Sequence, residues 1–348
     1  MTFTDEQRAL RAAVRAVLER EPGTAWAVLC EQVGVAGLPV PERYGGFGAG
    51  LPEIAVVAEE LGRTLTPCPF LGSTVLASYA LVASGDDAAC ARLLPGLAEG
   101  RTTAALAWVG EAGRWDPGTV ACTARDGLLD GTAHYVVDGE AADLLLVAAG
   151  TGSTVGLFEV DPDLDGVRRT RSPGMDQTRA LAVVELARAR GTRLGGGDFR
   201  AALGRARDAA CVALAAEQAG AAARALEITV EYTKQRRQFG RPIGGFQALK
   251  HRMADLYVFS ETARSAAYAA AEAAEADRPR LAAVAKAYCS EAFSAVAAEM
   301  IQLHGGIAIT WEHDAHRYLK RAHGTAQLLG QPHEHLARIP ALVGAAAG

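Results

Sequence analysis

The chain has 348 residues, enough for two or three packed units; half of it is hydrophobic and Ala is the commonest residue. A formal net charge of −5, with only short local basic clusters, argues against a general nucleic-acid binder. Six cysteines (Cys30, Cys68, Cys90, Cys122, Cys211 and Cys289) form no Cys-x-x-Cys pair, which points to reduced thiols in a cytoplasmic protein rather than a disulfide frame or zinc site.

In chain order, Thr4 with Gln7 predicts a capping box, opening a helix that runs to about Arg20 and ends at Pro22-Gly23. This segment is charged and amphipathic, and lacks the continuous apolar core of a signal peptide. A second helix is expected over Ala25 to Val33, then a Gly- and Pro-rich loop from Gly37 to Gly50. Pro52 to Gly62 reads as a helix carrying Glu53, Glu59 and Glu60. Pro67 and Pro69 break the chain before helices over Leu71 to Ala83 and Asp87 to Leu94. From about Thr102 the pattern changes. Leu128 to Val137, Leu144 to Ala149 and Thr154 to Val160 are short Val-, Leu- and Thr-rich runs, read as antiparallel strands of a sheet or small barrel. Asp138 and Asp143 suit turns. Gly195 to Gly197 reads as a hinge. Beyond it no strand is expected: Asp198 to Lys234, Phe246 to Ala276, Pro279 to Leu303 and Ala315 to Leu329 predict four long helices in an antiparallel bundle. The fold class is α+β, with a helical domain at 1–101, a β domain at 102–196 and a helical bundle at 197–348. No apolar run reaches the length of a membrane span.

Chemistry concentrates around the bend YTKQRRQFGRPIGGFQALKHRMAD, Tyr232 to Asp255. Gly240, Pro242, Gly244 and Gly245 stop one helix and turn the chain into the next. Lys234, Arg236 and Arg237 are expected in the last helical turn. They either tidy a helix end, where the dipole favours cations, or form an anion site suited to a phosphate or pyrophosphate. His304, His313, Asp314 and His316 invite a metal reading, but the i, i+4 helical pair is missing. His333 and His335 read as surface residues of a loop. There is neither a nucleophile elbow nor a P-loop.

Two motifs carry a resemblance. Arg236, Phe239, Gly240, Pro242, Ile243 and Gln247 match R-x-x-F-G-x-P-I-x-x-x-Q, and Gln302, Gly305 and Gly306 match Q-x-x-G-G. The chain thereby resembles the acyl-CoA dehydrogenase family over nearly its whole length. GLLDGTAHYVVDGEAADLLLVAA is similar to that family's middle domain, and the loop around Tyr44 to one near its acyl-chain pocket. The resemblance implies an N-terminal helical domain, a middle sheet or barrel domain, a C-terminal four-helix bundle and bound FAD. It also implies a reaction in which a carboxylate takes the α proton while the flavin takes the β hydride. Hydrogen bonds to the thioester carbonyl would acidify the α carbon.

Against that expectation the chain shows losses. One family position for the base lies about 27 residues after Gln302 and falls on Leu329, before Gly330; the other lies about 26 residues before Arg236 and falls on Ala210. Neither side chain accepts a proton. Asp208 is two places from Ala210, roughly 200° around a helix, so it remains only a weak candidate. Glu217 and Glu227 read as interhelix or solvent partners. The flavin-holding motif T-E-P-x-x-G-S-D is reduced to Glu111 and Gly113 within ALAWVGEAGRWDPG, where Trp108 and Trp115 suit core packing.

In the family, the pyrophosphate and adenosine end of each flavin is held by the two motifs of a neighbouring chain. The pattern therefore implies an accessory subunit. Arg236, Phe239, Gln247, Gln302, Gly305 and Gly306 would complete an FAD site shared with a paralogous catalytic partner, which would bind most of the acyl-CoA. The chain is similar to the non-catalytic subunit of heteromeric, sterol side-chain acyl-CoA dehydrogenases, assembled as α2β2. Two other readings stay open: a self-sufficient homo-oligomeric dehydrogenase using Asp208 or Glu111 as base, and a flavin-free binding or scaffold protein on the same fold.

Overall fold

The computed structural model describes residues 3–21 and 24–346. Pro22 and Gly23, expected to end the first helix, lie outside the described residues. The helices before the sheet are α1 (Asp5–Arg20), α2 (Ala25–Val28), α3 (Leu51–Thr64), α4 (Ser78–Ala83) and α5 (Asp87–Ala98). π-helical turns extend α2 through Leu29–Val33 and precede α4 over Phe70–Ala77. The capping box forms: the Gln7 amide donates to Thr4 Oγ1 at 3.1 Å and the Thr4 amide to Gln7 Oε1 at 3.2 Å.

Eight strands follow: β1 (Ala104–Ala107), β2 (Cys122–Arg125), β3 (Leu128–Val137), β4 (Leu144–Gly150), β5 (Val155–Val160), β6 (Val167–Arg171), β7 (Leu181–Arg190) and β8 (Thr192–Leu194). The remainder comprises α6 (Arg200–Gln235), the two-residue strands β9 (Arg237–Gln238) and β10 (Arg241–Pro242), α7 (Gln247–Ala271), α8 (Arg278–His304), α9 (Ala315–Gln327) and α10 (Pro332–Ala346).

The chain forms two compact units. One comprises Ala12–Ile54 and Pro67–Ala210. Its sheet runs β6-β7-β3-β2-β4-β5-β8, with β1 on β4. Leu129, Leu145, Val147, Phe158, Val160, Val184 and Leu186 form its core. The pairing is mixed. Both β1 and β2 run parallel to β4, which corrects the purely antiparallel expectation. The chain reaches β4 from β1 through the β2–β3 hairpin, so no tight turn forces the two antiparallel. Trp108 and Trp115 pack edge to face at 5.1 Å in the interior, as expected.

The other unit comprises Met1–Arg11, Ala55–Thr66 and Cys211–Gly348. Ala221, Ala222, Ala225, Ala297 and Ala322 let helices approach closely around Phe293, Met300 and Tyr318. Where α3 crosses α6 the backbones nearly touch. A Cβ on Gly62 would lie 2.0 Å from the Glu217 carbonyl oxygen, and one on Gly220 2.0 Å from that of Glu59. The buried carboxylate of Glu59 is satisfied by Arg11 at 2.6 Å and Arg264 at 3.1 Å.

Three expectations change here. Strands do not vanish after residue 197, because β9 and β10 form a small ribbon. A fifth long helix, α10, occupies the expected loop: Pro332 sits at its first position, where a missing N–H costs nothing, and Glu334 accepts from the Gln331 amide at 2.7 Å. Within it His335 is buried, not superficial. Finally, Arg278–Ile309 is long and apolar enough to cross a membrane by length and composition. In this structure α8 instead packs among α7, α9 and α10 and buries Lys286.

Candidate functional site

The bend after α6 is a two-residue hairpin. Gln238 pairs with Arg241 and Arg237 with Pro242, leaving Phe239 and Gly240 at the tip. Both have positive φ, 52° and 79°, as a type I′ turn requires. Such a conformation is ordinary for Gly240 and strained for a phenylalanine. The Phe239 ring is nevertheless 91% exposed, touching Phe246 edge to face at 6.1 Å. A strained, exposed aromatic is poorly explained by packing within the chain and well explained by a flat ligand.

The expected row of cations in the last helical turn is corrected. Only Lys234 lies on α6, paired with Glu231 at 2.6 Å; Arg236 and Arg237 lie beyond its end. Arg237 closes the hairpin by donating to the Gly240 carbonyl at 2.8 Å, and Arg241 stacks over Phe246 at 4.0 Å. The Arg236 backbone is held at both ends, donating to Tyr232 and accepting from Ile243, each at 2.8 Å. Its side chain is exposed, and among the described residues its guanidinium has no partner. Arg236 is thus a free planar cation on a fixed backbone. Gln247, exposed, begins α7 just after Phe246.

The second motif ends α8. Gln302 and both glycines are exposed. Gly305 has φ 64° and ψ −143°, a conformation essentially closed to other residues. A Cβ built on Gly305 or Gly306 would meet nothing within 4 Å. The space in front of this backbone is open, which suits a ligand approaching the main chain.

One link brings the motifs together. The Tyr232 ring, one turn before Arg236, stacks on His304 at 4.3 Å, and its hydroxyl donates to the His304 carbonyl at 3.3 Å. His304 in turn lies 4.4 Å from the His313 ring and engages the Met300 carbonyl through Nδ1 at 2.8 Å. Burial holds its imidazole below the usual pKa, hence neutral. His316 packs on Trp311 instead, and among the described residues no group of three or more His, Cys, Asp or Glu converges on a metal geometry. No direct contact joins Gln247 to Gln302 among those described.

The positions expected for a base are apolar and closed. Leu329 is 1% and Ala210 0% exposed. Leu329 adopts φ 63° before Gly330 at 106°, its carbonyl bonded to His335 Nε2 at 3.0 Å. Asp208 is buried, with its carboxylate 2.9 and 3.1 Å from the Arg207 guanidinium. Glu111 is exposed. Glu217 pairs with Arg321 at 3.1 Å, and Glu227 with Arg63 at 2.7 Å and Arg224 at 3.1 Å. Both are interhelix partners.

Sequence reasoning missed Lys286. Fully buried, it donates to Ser290 Oγ and the Gly330 carbonyl at 3.0 Å and to the Ala326 carbonyl at 3.3 Å. Desolvation pushes its pKa down to about 8. Its only sequence signal is a single cation inside the Ala-rich run AAVAKAY.

The comparisons agree with this architecture. The profile of the acyl-CoA dehydrogenase N-terminal domain matches residues 4–101 and that of the C-terminal domain residues 199–339. Acyl-CoA dehydrogenase IpdE2 of Mycolicibacterium smegmatis is 43% identical over 341 residues, covering 97% of this chain and 94% of the relative. A variant of the Tcur3481–Tcur3483 steroid ACAD superposes with a TM-score of 0.88, 31% identity and 99% of both chains covered. A chain of the ChsE4–ChsE5 complex from Mycobacterium tuberculosis gives 0.87, with 29% identity and 99% and 98% covered. By sequence over nearly its full length and by fold, the chain belongs to the acyl-CoA dehydrogenase family.

Proposed function

We propose that this chain is the accessory subunit of a heteromeric, FAD-dependent acyl-CoA dehydrogenase. It would complete the FAD site of a paralogous partner that carries the catalytic base. The observation that carries this reading is the contrast between Leu329, buried and unable to accept a proton, and the exposed Arg236, whose guanidinium has no partner among the described residues. The residues fit the shared group. Arg236 would neutralise the pyrophosphate with a planar fork of donors, Phe239 would cover a flat ring, and Gln247 and Gln302 would donate through their amides. Gly305 and Gly306 supply open backbone that a Cβ would fill. Bound FAD supplies the hydride acceptor for α,β-desaturation of an acyl-CoA. This chain's own part is to bind and orient; neither base position of the chain can move a proton.

The relatives support a partner and a substrate class. One is a ChsE4–ChsE5 complex and another a steroid ACAD pairing Tcur3481 with Tcur3483. An α2β2 assembly with fewer flavins than chains, acting on a polycyclic acyl-CoA held mainly by the partner, follows from that likeness. No disulfide joins the six cysteines, which supports a cytoplasmic setting. The self-sufficient reading relies on Asp208, whose carboxylate is already held by Arg207, or on Glu111, which is exposed.

The test is turnover with acyl-CoA and an electron-accepting dye. The chain alone should be inactive, and co-expression with a paralogue bearing the base should give an active complex unaffected by Asp208→Asn here. Loss of turnover in that variant would return the catalytic role to this chain.

A further inference from the structure

Where α8 ends, one buried imidazole is satisfied on one nitrogen only. His304 is 3% exposed, and its Nε2 has no hydrogen-bond partner among the described residues. The other nitrogen fixes the tautomer. Nδ1 meets the Met300 carbonyl at 2.8 Å, and a carbonyl can only accept, so Nδ1 carries the proton and Nε2 a bare lone pair. Two rings confine the imidazole. Tyr232 of α6 stacks on it, and the His313 ring, from the segment before α9, lies against it at a tilt of 46°. No carboxylate is among the groups that face it.

A proton on Nε2 would therefore put a charged donor where the chain offers no acceptor, beside a second imidazole. Burial, with His313 behind it, accordingly holds the pKa of His304 below the ordinary 6.5, against the opposite pull of the Met300 bond. His304 is also the residue from which the glycine pair departs. Its carbonyl is held by the Tyr232 hydroxyl, and Gly305 leaves it at φ 64° and ψ −143°. The glycine backbone thus starts from a residue clamped through both ring and carbonyl. An imidazolium could gain an acceptor only by turning Nε2 toward water, which breaks the stack and the Met300 bond and frees the first glycine.

We propose that His304 is a positioning residue, which sets the Gly305–Gly306 backbone for the shared FAD only while its Nε2 is unprotonated, so that acidification releases the flavin. The proposal rests on the accessory-subunit reading and adds to it a proton-controlled hold on the cofactor.

FAD titration of the complex with a base-bearing paralogue, between pH 7 and 5, tests it. Wild-type affinity should fall about tenfold over that range, because one proton is taken up as the flavin leaves. His304→Phe keeps a ring against Tyr232 but binds no proton, and its affinity should stay level with pH. His304→Asn, with an amide donor for the Met300 carbonyl, should do the same. The full chain without flavin gives a second readout. Below pH 6.5 the unfolded chain binds more protons, so the wild-type urea midpoint should fall relative to that of His304→Phe as pH drops from 7 to 5, the lowered His316 acting equally in both. A wild-type affinity that stays level, or that falls as steeply in both variants, overturns the proposal. So does a midpoint that separates wild type from variant with no matching loss of flavin. A complex that takes up no FAD even at pH 7 overturns the accessory-subunit reading, and the proposal with it.

Discussion

Tyr232 and His304 lie with ring planes 27° from parallel and centroids 4.3 Å apart, joining the bend after α6 to the glycines at the end of α8. Two motifs about 70 residues apart in sequence are thereby fixed to each other, through Tyr232 just before the first and His304 at a variable position within the second. Tyr232→Leu should loosen this joint and lower flavin retention in the assembled complex. Tyr232→Phe keeps the stack, gives up only a 3.3 Å hydrogen bond, and should stay close to wild type. Flavin absorbance after gel filtration reads both; equal losses in the two variants would discount the stack.

Arg236 and Gly306 should separate binding from folding. Among the described residues the exposed Arg236 guanidinium has no hydrogen-bond or ion-pair partner, so Arg236→Ala should leave the melting temperature unchanged. Losing a charge-assisted hydrogen bond is worth about 1.5–3 kcal/mol, so flavin affinity of the complex should fall roughly ten- to a hundredfold. Gly306→Ala adds a methyl to open space and should also fold normally while retaining less flavin. Titration of apo-complex with FAD gives both affinities.

The α3–α6 crossing predicts the opposite behaviour. In Gly220→Ala the added Cβ would fall 2.0 Å from the Glu59 carbonyl oxygen, so two helices must separate. The loss should be about 3 kcal/mol, read as a lower urea midpoint with unchanged flavin affinity in whatever fraction folds. A midpoint equal to wild type would show that the crossing yields easily.

Lys286 makes stability depend on pH. Its pKa falls to about 8 in the fold from an ordinary 10.5. Below pH 8 the amine is charged in both states and the burial penalty is fully present. Between pH 8 and 10.5 the unfolded chain binds more protons, so stability rises with pH over that window. The wild-type urea midpoint should therefore gain on that of Lys286→Met between pH 8 and 10, the raised thiols of Cys122 and Cys289 acting equally in both. Parallel curves would remove Lys286 as the cause.

What the sequence disclosed follows from how local each signal is. The Thr4–Gln7 capping box and the strand Leu128–Val137 need only neighbouring residues, and both form as read. Parallel pairing of β1 with β4 depends on a distant segment and left no local trace. β6 carries arginines in place of an apolar alternation, and β7 was not among the runs singled out although Ala182, Val184 and Leu186 alternate inward. α10 was missed where His333 and His335 were read as loop residues, although Pro332 suits the first position of a helix. At the site, the two motifs singled out Arg236, Phe239 and the paired glycines, all of which are exposed. They did not disclose that Phe239 sits at a hairpin tip or that Lys286 lies beneath Gly330.

The most direct test is the flavin-to-chain ratio, measured by absorbance on the chain alone and on its complex with a base-bearing paralogue. The accessory-subunit account predicts a colourless, inactive lone chain and one FAD for each pair of unlike subunits in an active complex. A lone chain that purifies with one FAD per copy and oxidises acyl-CoA would contradict it.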